Sequence, residues 1–148
     1  MAGFDLTLFE KKPVVGILRG VDEASLAGVL EAAYLGGLRF LEITLNTPGA
    51  FSLIKKAVEQ FPEFCIGAGT VLSADATKNA VDAGAKFIVA PDLNDNVAEY
   101  CVKNNLAYFP GALTPTEIAK AWNSGATMVK VFPASQMGPS YFKVLKGP

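Results

Sequence analysis

A short apolar run followed by a helical segment recurs six times along this chain of 148 residues, and that recurrence restricts the fold more than any other feature. The runs read as strands are VVGILRG (14–20), FLEITLN (40–46), CIGAGTVL (65–72), FIVAP (87–91), AYFPGAL (107–113) and MVKVFP (128–133). They begin every 20–26 residues, the length of a βα unit. The helices between them carry readable starts. Asp22 caps a segment that ends at Gly36-Gly37, and Ser73 opens another. Thr47 reads as a cap with Pro48 at the first helical position, leading a face of Phe51, Ile54 and Val58. Thr114, Pro115 and Glu117 form a capping box with proline in the first turn. The pattern calls for a parallel α/β sheet.

An open, doubly wound nucleotide fold and a closed barrel both use such units. The first would place G-x-G-x-x-G after its first strand, but that turn reads ILRGVDE, and Gly67 and Gly69 are followed by Leu72 where a third glycine belongs. Strands ending in Arg19, Asn46, Thr70 and Lys130 instead suit a barrel whose C-terminal rim carries a site. A complete TIM (β/α)8 barrel needs eight units and typically ~250 residues. The expectation is therefore one domain over 1–148, a partial barrel with about six of the eight units.

Charged residues make up only 18% of the chain and the net charge is −1, with no basic patch. That speaks against a nucleic-acid partner or a membrane surface held by electrostatics. No run approaches the ~20 apolar residues of a membrane span, and the start does not read as a signal peptide. Cys65 and Cys101 read as reduced core thiols of a cytoplasmic protein. Histidine is absent, which removes Ser-His and Cys-His catalysis and the commonest metal ligand. Chemistry must come from carboxylates, lysine, arginine, hydroxyls and backbone.

Alternation along the strands singles out two of these groups. In FLEITLN, Leu41, Ile43 and Leu45 share the face that helices would cover, so Phe40, Glu42, Thr44 and Asn46 point inward. In MVKVFP, Lys130 lies on the face opposite Val129 and Val131. Lys130 and Glu42 should thus meet inside the barrel. A plain buried ion pair is one reading, and a lysine guarding an exposed strand edge is another. The functional reading is that burial favours the neutral amine, which attacks a carbonyl to form an iminium while the carboxylate moves protons.

The six segments VVGILRG, FLEITLN, IGAGTVL, FIVAP, YFPGALTPTE and VKVFPAS, in this order, resemble the 2-keto-3-deoxy-6-phosphogluconate, 2-keto-3-deoxy-6-phosphogalactonate and 4-hydroxy-2-oxoglutarate aldolases. The resemblance implies a class I, Schiff-base, pyruvate-dependent lyase of the TIM-barrel type, homotrimeric, needing no metal and no cofactor. Lys130 would form the Schiff base and Glu42 would be the general acid/base. Thr70 would bind the pyruvyl part, Phe132 would lie beside the lysine, and Arg19 would clamp the substrate carboxylate.

Asn46 stands where one branch of that family carries arginine, so it is a candidate substrate contact, and the choice among phosphorylated keto-deoxy sugar acids stays open. The family's seventh and eighth strands carry glycine-rich phosphate loops that have no counterpart here. An inactive structural or oligomerising module is therefore an alternative, as is a phosphate-binding barrel isomerase using Glu42 as base.

Overall fold

The computed structural model describes residues 3–135 and 137–147. Helix α1 (Leu6–Lys11) precedes strand β1 (Val15–Leu18), and α2 (Glu23–Leu35), β2 (Phe40–Thr44), α3 (Ala50–Gln60), β3 (Cys65–Gly69), α4 (Ala74–Asp82), β4 (Phe87–Val89), α5 (Asp95–Lys103) and β5 (Ala107–Phe109) follow. The chain goes on through β6 (Gly111–Ala112), α6 (Pro115–Asn123), β7 (Lys130–Val131) and α7 (Gly138–Leu145).

All strand pairs are parallel. β1 to β5 form one sheet in sequential order, and β6 pairs with β7. The run AYFPGAL is one stave broken in two, because Pro110 has no N–H to give a ladder. Its carbonyl still accepts from Lys130 N at 2.9 Å, so β7 lies beside this stave. Six staves of a (β/α)8-type barrel result, and among the described residues β7 does not pair back to β1. The strands are shorter than the apolar runs suggest, since the polar residues at their ends belong to turns.

Alternation sorts the side chains as expected. Leu41, Ile43, Ile66, Ala68, Ile88 and Tyr108 face the helices and join Leu26, Leu30, Leu53, Ile54, Val97 and Cys101 in the main core. Phe87, Val89 and Phe109 point the other way and make a second cluster with Phe4, Val15 and Met128 inside the barrel. Phe4 lies 5.4 Å from Phe87 and 5.1 Å from Phe109, both edge-on, and Phe9 lies 5.1 Å from Phe40. These rings plug the barrel with the geometry that aromatic quadrupoles favour. Burial pushes the Cys65 and Cys101 thiols up to about 11 and about 12, which disfavours the reactive thiolate form of both.

Asp22, Ser73 and Thr114 cap their helices as read, and Glu117 completes the capping box. One helix start differs. α3 is capped by Gly49 in a left-handed conformation, because the Thr47 hydroxyl is engaged with the turn after β1. The buried face of α3 is Ala50, Leu53, Ile54 and Ala57, and Phe51 turns outward.

Gly67 is a packing requirement. A Cβ on it would stand 2.5 Å from ring atoms of the fully buried Phe87. Gly67→Ala should cost about 1–3 kcal/mol by overpacking, read as a lowered urea midpoint with an unchanged m-value.

Candidate functional site

The inner faces of the staves enclose a cavity of about 230 Å³. Phe9, Val15, Ile17, Val89, Phe109 and Met128 supply apolar walls, joined by Val129, which simple alternation would turn away from Lys130, and the charged lining residues are Glu42 from β2 and Lys130 from β7. The two groups singled out by strand parity thus share one chamber. Register explains how: Glu42 pairs between Ile17 of β1 and Gly67 of β3, while Lys130 pairs with Gly111 of β6.

Glu42 is only 3% exposed. Burial holds its carboxyl above the ordinary carboxylate value, and the positive charges of Lys130 and then Arg19 oppose that rise. Lys130 is half-buried rather than fully dry, because the chamber is open on the side between β7 and β1, where Ile17 is 54% exposed. The amine lies 5.1 Å from the Phe132 ring centroid, within cation–π range. Among the described residues the ion pairs within 4.0 Å join Lys55 to Glu59, Lys56 to Glu23 and Lys120 to Asp95, and Lys130 with Glu42 is not one of them. The simple buried-ion-pair reading therefore lacks its contact.

Of the remaining expected residues, Phe132 and Arg19 are related to this pair, the first through its ring near the amine and the second through its charge. Arg19 is exposed in the turn after β1, near enough for its charge to act on Glu42. Phe132 follows β7, 42% exposed, and lines a neighbouring groove with Leu113 and Lys120. Thr70 follows β3 with φ +56°, a strained conformation of the kind that gathers at functional sites. Asn46 is exposed in the turn after β2. None of Arg19, Thr70, Asn46 and Phe132 lines the cavity. No cluster of three or more His, Cys, Asp or Glu able to hold a metal occurs among the described residues.

Gly69 is a residue that motif reading passed over. A Cβ there would lie 2.5 Å from Glu42 Oε1 and 2.7 Å from its Cδ. The carboxylate occupies the space that a side chain at 69 would fill. A glycine inside a strand signals such a close approach.

The raised carboxyl has a thermodynamic consequence. The folded chain holds the Glu42 proton more tightly than the unfolded chain does, so stability falls as pH rises from the ordinary 4.5 through the raised folded value. Glu42→Gln removes that loss. Its stability gain should be small near about pH 4 and larger near about pH 7.5, as read from urea midpoints at both.

Residues 7–148 match the family model for KDPG and KHG aldolases. A probable 2-dehydro-3-deoxy-6-phosphogalactonate aldolase of Rhizobium meliloti strain 1021 is 37% identical over 131 residues, 88% of this chain and 62% of the relative. A native KDPGal structure superposes with a TM-score of 0.88 at 32% identity, covering 98% of this chain and 69% of the other. A KDPG aldolase from Legionella pneumophila, with pyruvate captured at low pH as a covalent carbinolamine intermediate, gives 0.85 at 29% identity over 91% and 66%. The chain spans about three fifths of the length of the first curated relatives it matches.

Proposed function

Since this chain belongs to the KDPG and KHG aldolase family, we propose that its cavity performs the pyruvate half of a class I aldol cleavage, with Lys130 as nucleophile and Glu42 as general acid/base. The observation that carries the reading is that one apolar chamber holds a half-buried amine and a buried carboxyl of raised pKa, not locked together as an ion pair.

The Lys130 amine adds to the C2 carbonyl carbon of a 2-keto acid, and the carbonyl oxygen takes a proton, giving a carbinolamine. That oxygen leaves as water after a second proton transfer, and an iminium remains. Glu42, ionised at this point, accepts the C4 hydroxyl proton while the C3–C4 bond breaks. The bonding electrons pass into the iminium and form an enamine, and the aldehyde departs. Protonation at C3 and hydrolysis by water release pyruvate and restore the amine. Burial suits Glu42 to this traffic, because a carboxyl held above the ordinary carboxylate value is a better proton acceptor when ionised than an exposed one.

Arg19 supplies a cation for the substrate carboxylate. Thr70, Asn46 and Phe132 are proposed as rim contacts, and the substrate is a phosphorylated 2-keto-3-deoxy sugar acid yielding glyceraldehyde 3-phosphate. The covalent pyruvate adduct of the Legionella protein supports the lysine chemistry by kinship. A homotrimer belongs to the same proposal.

Incubation with pyruvate and borohydride, followed by peptide mass mapping, tests it. The adduct is expected on Lys130 and absent in Lys130→Met, and Glu42→Gln should slow its formation about 10²–10⁴-fold. A chain that forms no adduct, or forms it on another lysine, overturns the assignment.

A further inference from the structure

The sequence reads Thr47 as a helix cap, but the fold uses it differently. Thr44 and Thr47 are both buried at the C-terminal end of β2. Gly20 N–H donates to Thr47 Oγ1 at 3.0 Å, the two threonine hydroxyls are 3.1 Å apart, and Thr44 Oγ1 donates to the Leu18 carbonyl at 3.3 Å. Each hydroxyl has one proton. Thr44 spends its own on Leu18, so Thr47 must donate to Thr44. The bonds then run in one direction from Gly20 through both hydroxyls to Leu18, and the residue between Leu18 and Gly20 is Arg19.

We infer that Thr44 and Thr47 are positioning residues that clamp the backbone on both sides of Arg19 and so fix where its side chain leaves the turn after β1. No charge is buried to do this, and the clamp leaves the exposed arginine side chain free to meet an anion. The substrate part of the inference, a 2-keto acid whose carboxylate Arg19 receives, rests on the proposed function, whereas the clamp itself does not.

The charged groups acting on Glu42 are Lys130 from β7 and Arg19 from the turn after β1. Carbon-13 NMR titration of the Glu42 carboxyl in the chain without ligand therefore reports where Arg19 stands. Arg19→Met should raise the midpoint. Thr47→Val, which keeps the shape and removes the hydroxyl, should raise it too, and Thr47→Ser should restore it. In the Arg19→Met background, Thr47→Val should add nothing.

An equal rise in that background means the hydroxyl acts without Arg19, and no rise at all means it does not place the charge. Either result overturns the inference. Thr44→Val, which leaves the Gly20–Thr47 bond intact, gives the same test if Thr47→Val does not fold. With pyruvate and borohydride, Thr47→Val should need about tenfold more pyruvate for half-maximal trapping, with the limiting rate kept. If the unsubstituted chain traps no pyruvate, the proposed function fails while the Glu42 titration still decides the clamp.

Discussion

Parallel pairing sets Ile17, Glu42 and Gly67 side by side across β1, β2 and β3, and the properties of the cavity descend from that register. Side chains alternate along a strand, so a ladder that sends Leu41 and Ile43 to the helices must send Glu42 inward. A slip of one residue would bury the carboxylate against the helices and expose two aliphatic side chains to the chamber. The large apolar area on the helix side therefore enforces the position of a single ionisable group. Glycines complete the arrangement: Gly67 leaves room for Phe87, and Gly69 leaves room for the carboxylate itself.

The electrostatic state of Glu42 follows from a balance. Removal from water favours its protonated form, and two cations favour the ionised form, with burial the larger effect. Lys130 reaches the same space from the far end of the row of staves, through β6, and rests near the Phe132 ring. The amine and the carboxyl thus share one apolar chamber without a direct ion pair, though the charge of one is felt by the other. A tight buried pair would first have to be broken, at a cost of several kcal/mol.

Much of this was legible in the sequence, for a physical reason. Strand parity is local, so Glu42 and Lys130 could be assigned inward-facing positions from their immediate neighbours alone. Helix caps are local too, and Asp22, Ser73 and Thr114 behave as their spacing suggests. What stayed hidden depends on contacts distant in the chain. The plug formed by Phe4 and Phe9 acquires meaning only when Phe40, Phe87 and Phe109 converge on it. Thr47 beside Pro48 has the local chemistry of a cap, and only the return of Gly20 to its hydroxyl assigns it elsewhere. The depth of Lys130 was overestimated because four neighbouring apolar residues suggest a dry site, whereas an open row of staves leaves it half-buried.

A crystal structure of the chain after borohydride reduction with pyruvate addresses the account at its centre. The reduced adduct should extend from Lys130 Nζ into the chamber, with a Glu42 oxygen in hydrogen-bond reach of the former carbonyl carbon's substituents, directly or through one water, and the pyruvate carboxylate turned toward Arg19. An adduct pointing out between β7 and β1 into solvent, with Glu42 beyond the reach of a bridging water, would contradict it.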